Sequence, residues 1–153
     1  MNLLQILILV HVLSAVIGIG PTYFTAVLLH PRQTVPRLAL GAHFAERLEL
    51  FPKIGGTLAV LTGLLLVWQG HYGSLAQIWL LGSLLIYVMI QVLIVGFAVP
   101  RTKRLDAWLA AEAGRAGTLP LLQLRLLREV YGLHLAAMAL GIVLFALMIL
   151  KPS

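Results

Sequence analysis

The chain has 153 residues, of which 61% are hydrophobic and 10% charged, with a formal net charge of +6. Soluble domains carry about 25% charged residues, so this composition excludes an ordinary soluble domain and places the chain in the membrane class. Cysteine is absent, which removes disulfides, thiolate metal sites and cysteine catalysis.

The first apolar run covers residues 3–29. It has only Met1 and Asn2 ahead of the leucines and no small-x-small cleavage site after it, so it reads as a mature transmembrane helix rather than a secretory signal. His11, Ser14, Gly18, Thr22 and Thr25 step by three or four residues and form one polar, small-residue stripe that must face protein. Within it, Gly18, Gly20 and Pro21 predict a helix kink, because Pro21 cannot donate to the carbonyl of Ile17.

A short connection with Pro31 and Pro36 leads into a helix that is amphipathic before it becomes apolar. The second span is expected over residues 48–69, with Pro52 bending it near the membrane boundary. A brief uncharged turn containing His71 and Tyr72 follows, then a third span over residues 76–99. Ser83, Tyr87 and Gln91 give that span an edge suited to interhelical hydrogen bonds. The longest connection, residues 100–120, holds an amphipathic stretch at residues 105–113, expected to lie at the membrane interface. The fourth span is expected over residues 130–150. The fold class is therefore an all-α polytopic membrane protein: a four-transmembrane-helix antiparallel bundle with an amphipathic cytoplasmic helix between spans three and four.

Charge sets the expected orientation. Of the eleven Lys and Arg, ten flank the connections after spans one and three, and only Lys151 lies at the other end. The positive-inside rule then places both termini outside the cytoplasm, in a multi-pass protein of the cytoplasmic membrane. Because the basic residues border spans and no nucleic-acid motif accompanies them, lipid is the expected partner and nucleic acid is not. A homodimer is one arrangement open to such a bundle.

Two histidines lie within spans. His134, with Met138 one turn on, shares a heptad-like stripe with Tyr131, Gly141, Phe145 and Met148. Such a face suits a haem- or copper-binding bundle, and equally suits packing around one satisfied polar group. Antiparallel geometry puts His11 in the outer half and His134 in the cytoplasmic half, ~10–15 Å apart along the normal, so two separate sites fit better than two axial ligands of one haem. On the cytoplasmic side His43, Glu46, Glu49 and Lys53, with Arg125 and Arg128, form either an ion-paired cluster or a polar pocket that holds an anion and moves a proton. His43 and Glu46 are an i, i+3 pair able to ligate a metal, but no second such pair accompanies them. No P-loop, nucleophile elbow, HExxH or dinucleotide fingerprint is present, so hydrolase and dehydrogenase readings lack residues to carry them.

The segment from His11 to Thr22, with Leu61-Thr62-Gly63-Leu64, resembles a family of small bacterial four-span integral membrane proteins of unknown function, over the whole chain. The early histidine and the Thr-Gly-Leu of span two also look, more distantly, like the copper-resistance protein CopD and the HemJ protoporphyrinogen oxidase group. HemJ proteins are linked to haem and use an early histidine and a lysine, which this resemblance maps to His11 and Lys53. The chain departs from HemJ in having Gly18-Ile19-Gly20-Pro21 where those proteins carry a tryptophan-containing segment, and Ala26 near their arginine. The leading expectation is a cofactor-binding bundle with haem on His11 and His134. The alternatives are a proton-coupled transporter or channel-like module and a non-catalytic membrane scaffold.

Overall fold

The computed structural model describes residues 2–69, 77–112 and 114–151. Helix α1 (Leu3–Leu28) starts at a capping box, in which Asn2 Oδ1 accepts from the Gln5 N–H at 2.9 Å and Gln5 Oε1 accepts from the Asn2 N–H at 3.0 Å. These two bonds satisfy donors that a helix start leaves open. At its far end Gln33 donates from its side chain to the Val27 carbonyl at 2.7 Å, closing the last turn where Pro31 cannot continue the helix.

Helix α2 (Val35–Leu48) carries Pro36 in its first turn, where a missing N–H costs nothing. It runs into α3 (Leu50–Gln69) with Glu49 alone between them. Helix α4 (Ile78–Gln91) continues through a π-helical segment, Val92–Ala98, into α5 (Val99–Glu112), and α6 (Leu121–Leu150) completes the bundle. Among the described residues, four rods are long and apolar enough to cross a membrane: Leu3–Leu28, Val35–Gln69, Ile78–Glu112 and Leu121–Leu150. The turn with His71 and Tyr72 lies outside the described residues.

Two of these rods have 35 residues, about 52 Å at 1.5 Å per residue against a hydrocarbon core of ~30 Å. The surplus is α2 and α5, which pack together beside the start of α6. Leu29, Val35, Leu38, Ala42, Ala45, Leu105, Leu109, Leu127 and Val130 make the core of this cap. Leu105 and Leu109 are fully buried, and Trp108 packs against the same cluster. The amphipathic stretch expected at the membrane interface is thus the continuation of the third rod, and its apolar side faces α2 and α6. Apolar periodicity specifies a buried face without saying whether lipid or protein covers it.

The first and second rods touch through glycines. A Cβ on Gly18 would lie 2.8 Å from the Gly56 nitrogen, and one on Gly55 would lie 2.7 Å from the Gly18 nitrogen. The backbones approach as closely as small residues allow. The α1 stripe faces protein as its spacing requires, with Ser14, Gly18, Thr22 and Thr25 buried.

Candidate functional site

Each of the first three rods departs from regular helix at one level. In α1, Pro21 supplies no N–H to the Ile17 carbonyl, and its own carbonyl accepts the Thr25 hydroxyl at 3.0 Å. In the second rod Pro52 supplies none to Leu48; the chain breaks at Glu49, whose N–H reaches back only three residues to the Glu46 carbonyl at 3.3 Å. In the third, Pro100 cannot bond the Gly96 carbonyl and crowds it. The turn before it widens into the π segment, and the Val99 N–H reaches back five residues to Ile94. Single π turns within α-helices recur at functional sites.

These departures meet at one cavity. It is lined by Pro21, Thr22 and Thr25 of α1, Ala45, Leu48, Glu49 and Pro52 around the α2–α3 junction, Ile94, Val99 and Thr102 of the third rod, and His134 of α6. Its volume is about 20 Å³, room for about one water. Ala45 of the cap core and Ile94 of a second apolar cluster (Ile90, Ile94, Ala98 and Ala137) both lie on the lining.

The polar groups on this lining are mostly acceptors. His134 is 5% exposed, and its Nδ1 lies 2.8 Å from the Val130 carbonyl. A carbonyl only accepts, so Nδ1 carries a proton, and in the neutral ring Nε2 keeps its lone pair. The hydroxyls of Thr25 and Thr102 donate to the carbonyls of Pro21 and Ala98, each at 3.0 Å, which leaves oxygen lone pairs. Glu49 contributes a carboxyl group whose Oε1 is buried with no hydrogen-bond partner, while Oε2 lies 3.4 Å from Lys53 Nζ and 4.0 Å from Lys103 Nζ. Among the described residues of the lining, Thr22 is the one whose side-chain hydroxyl makes no hydrogen bond. The arrangement suits an occupant that donates: a proton, water or a small cation.

His11 sits elsewhere. Its Nδ1 donates to the Ala59 carbonyl at 2.8 Å and lies 3.2 Å from Thr62 Oγ1, and its ring lies over Gly63, where a Cβ would be 3.0 Å from Cε1. Ten residues of α1 separate His11 from Pro21, about 15 Å along the helix. Between the two levels, the Tyr87 hydroxyl and the Gln91 amide of α4 occupy the space over Gly56.

The remaining candidate residues disperse. Lys53 is half-exposed and pairs with Glu49, whereas His43, Glu46, Arg125 and Arg128 are exposed and do not line the cavity. His43 stacks edge-on with Phe44. Glu129, rather than either neighbouring arginine of α6, bridges to α5, accepting from Arg101 Nε at 2.9 Å. Met138 is half-buried, and its carbonyl accepts from the Tyr23 hydroxyl at 3.3 Å. Gly18 forms the crossing with α3, while Gly20 has nothing within 4 Å of a Cβ position. Sequence reasoning missed Thr102, the π segment and the pairing of Glu49 with His134 across one cavity. The signal was a proline in each of the first three rods.

Residues 5–152 match the family described as "Predicted integral membrane protein (DUF2269)". No curated protein and no solved structure matches the chain.

Proposed function

The chain belongs to that family of predicted integral membrane proteins, and we propose that it is a proton-handling module of the bacterial cytoplasmic membrane. The observation that carries this reading is the buried, unpartnered Oε1 of Glu49 on a water-sized cavity shared with His134. Leaving a buried carboxyl oxygen unsatisfied costs about 1–3 kcal/mol, more when it is charged. A proton on that oxygen, or a donor in the cavity, removes the cost.

The relay has balanced ends. Glu49 as the acid gives its proton through the cavity water to His134 Nε2, leaving a carboxylate beside Lys53 and Lys103 and an imidazolium whose Nδ1–H stays on the Val130 carbonyl. Return of the proton restores both groups. Thr25 and Thr102 orient the water by accepting from it. Tyr87, Gln91, Thr62 and His11 are further polar stations toward the opposite membrane face. The ten-to-one distribution of basic residues supports a cap in the cytoplasm and both termini outside.

Proton flux in proteoliposomes under an imposed potential tests the reading. Wild-type protein raises flux over protein-free vesicles, and Glu49→Gln and His134→Gln abolish the increase. Equal flux in all three proteins, or none above lipid alone, contradicts it.

One observation favours a second reading, a haem or metal ligand at His11. Its Nδ1–H is held by a backbone carbonyl and Nε2 keeps a lone pair, as in ligating histidines oriented by an outer partner. His134 does not fit the same group, because its cavity has room for about one water and none for a macrocycle, and Met138 does not line that cavity. Bound haem would supply redox chemistry on the side of the bundle opposite the cap. A Soret band in protein from haem-replete cells, lost in His11→Ala, supports this reading; protein that stays colourless with added haem removes it.

A further inference from the structure

We infer that the cleft between α1 and the α2–α3 junction binds one anionic phospholipid. Phe24, Val27 and Leu28 form one wall, Phe44 and Phe51 the other, and Arg47 stands among them as the single charge; the cleft has a volume of about 460 Å³, within the range of ligand-binding clefts. Arg47 lies in the last turn of α2, is exposed, and makes no ion pair or hydrogen bond among the described residues. Phe24, Val27 and Leu28 close the last turns of α1, so the cleft lies where the apolar rods meet the charged cap. That level matches the step from acyl chain to phosphate.

Charge selects the occupant. The cap end carries ten Lys and Arg against five Asp and Glu, and an anionic headgroup neutralises Arg47 while its acyl chain fills the phenylalanine walls. A second copy docked through the same cleft about a two-fold axis would bring like-charged caps and both Arg47 side chains together. Leu48 lines both this cleft and the polar cavity, so the lipid packs on the outer side of the wall whose inner side faces Glu49 and His134. The inference stands on the cleft alone and does not depend on proton transfer.

Native mass spectrometry of the purified full chain, with phosphatidylglycerol or phosphatidylcholine added, tests it. The expected result is one retained phosphatidylglycerol, preferred over phosphatidylcholine by about fivefold, the worth of one basic side chain at an anionic headgroup. Arg47→Gln loses the preference, whereas Arg37→Gln, on an exposed residue of the same helix outside the cleft, keeps it. Phe44→Glu puts a carboxylate in the cleft and expels phosphatidylglycerol, a second variant independent of how Arg47→Gln folds. Equal retention of the two lipids by wild type, or unchanged preference in Arg47→Gln and Phe44→Glu, overturns the inference. So does photocrosslinking from position 44 that joins two copies instead of labelling lipid.

Discussion

Gly18 of α1 and Gly55 of α3 meet backbone to backbone: a Cβ on either would come within 2.9 Å of main-chain atoms of the other helix. Backbone, unlike the tip of a flexible side chain, cannot swing away. Gly18→Ala and Gly55→Ala should each destabilise the protein by about 1–3 kcal/mol through overpacking. Gly20→Ala, two residues along α1 with open space at its Cβ, should be neutral or slightly stabilising. Thermal unfolding of the three variants in one detergent separates these outcomes.

His11 spans the same helix pair by a hydrogen bond rather than by close approach. Interhelical hydrogen bonds in membranes average about 0.6 kcal/mol, so His11→Ala should cost no more than about 1–2 kcal/mol. Gly63→Ala, whose new Cβ presses on the imidazole, should perturb His11 in histidine NMR spectra and leave His134 unchanged.

The cap is predicted to behave as protein core. Leu109→Ala should cost about 2–5 kcal/mol, as for other buried leucines, because α2 and α6 cover that side chain. A helix lying on the membrane would show almost no change in unfolding. Chemical denaturation monitored at Trp108, which packs on the same cluster, reads the difference locally.

Pro100 is the residue to which the π segment is attributed. Pro100→Ala should restore α-helical bonding through residues 92–98, raise thermal stability because interior proline costs about 3 kcal/mol, and rotate Ile94 relative to Thr102. Proton flux should fall in the same variant. Higher stability with unchanged flux would detach the π segment from the cavity's function.

How far the sequence carried the fold follows from which forces are local. The four spans were readable because the bilayer imposes their length and composition residue by residue, and the glycine-threonine face of α1 was readable from spacing alone. The break at Glu49 followed from Pro52. The cap was only half readable: the apolar face of residues 105–113 was visible, but what covers it is a tertiary fact. Glu49 and His134 each stand out in the sequence, yet spacing alone groups Glu49 with His43 and Glu46, which the helix turns outward. Only the packing of four rods shows that a proline irregularity in each of three of them opens onto the histidine of the fourth.

Nitrogen NMR of histidine-labelled protein, compared between wild type and Glu49→Gln, tests the shared Glu49–His134 site most directly. His134 is expected to be the tautomer protonated at Nδ1, Glu49→Gln to move its Nε2 resonance, and His11, whose level lies about 15 Å away along α1, not to respond. A His134 protonated at Nε2 alone, or one whose resonances ignore Glu49→Gln, would contradict the shared site.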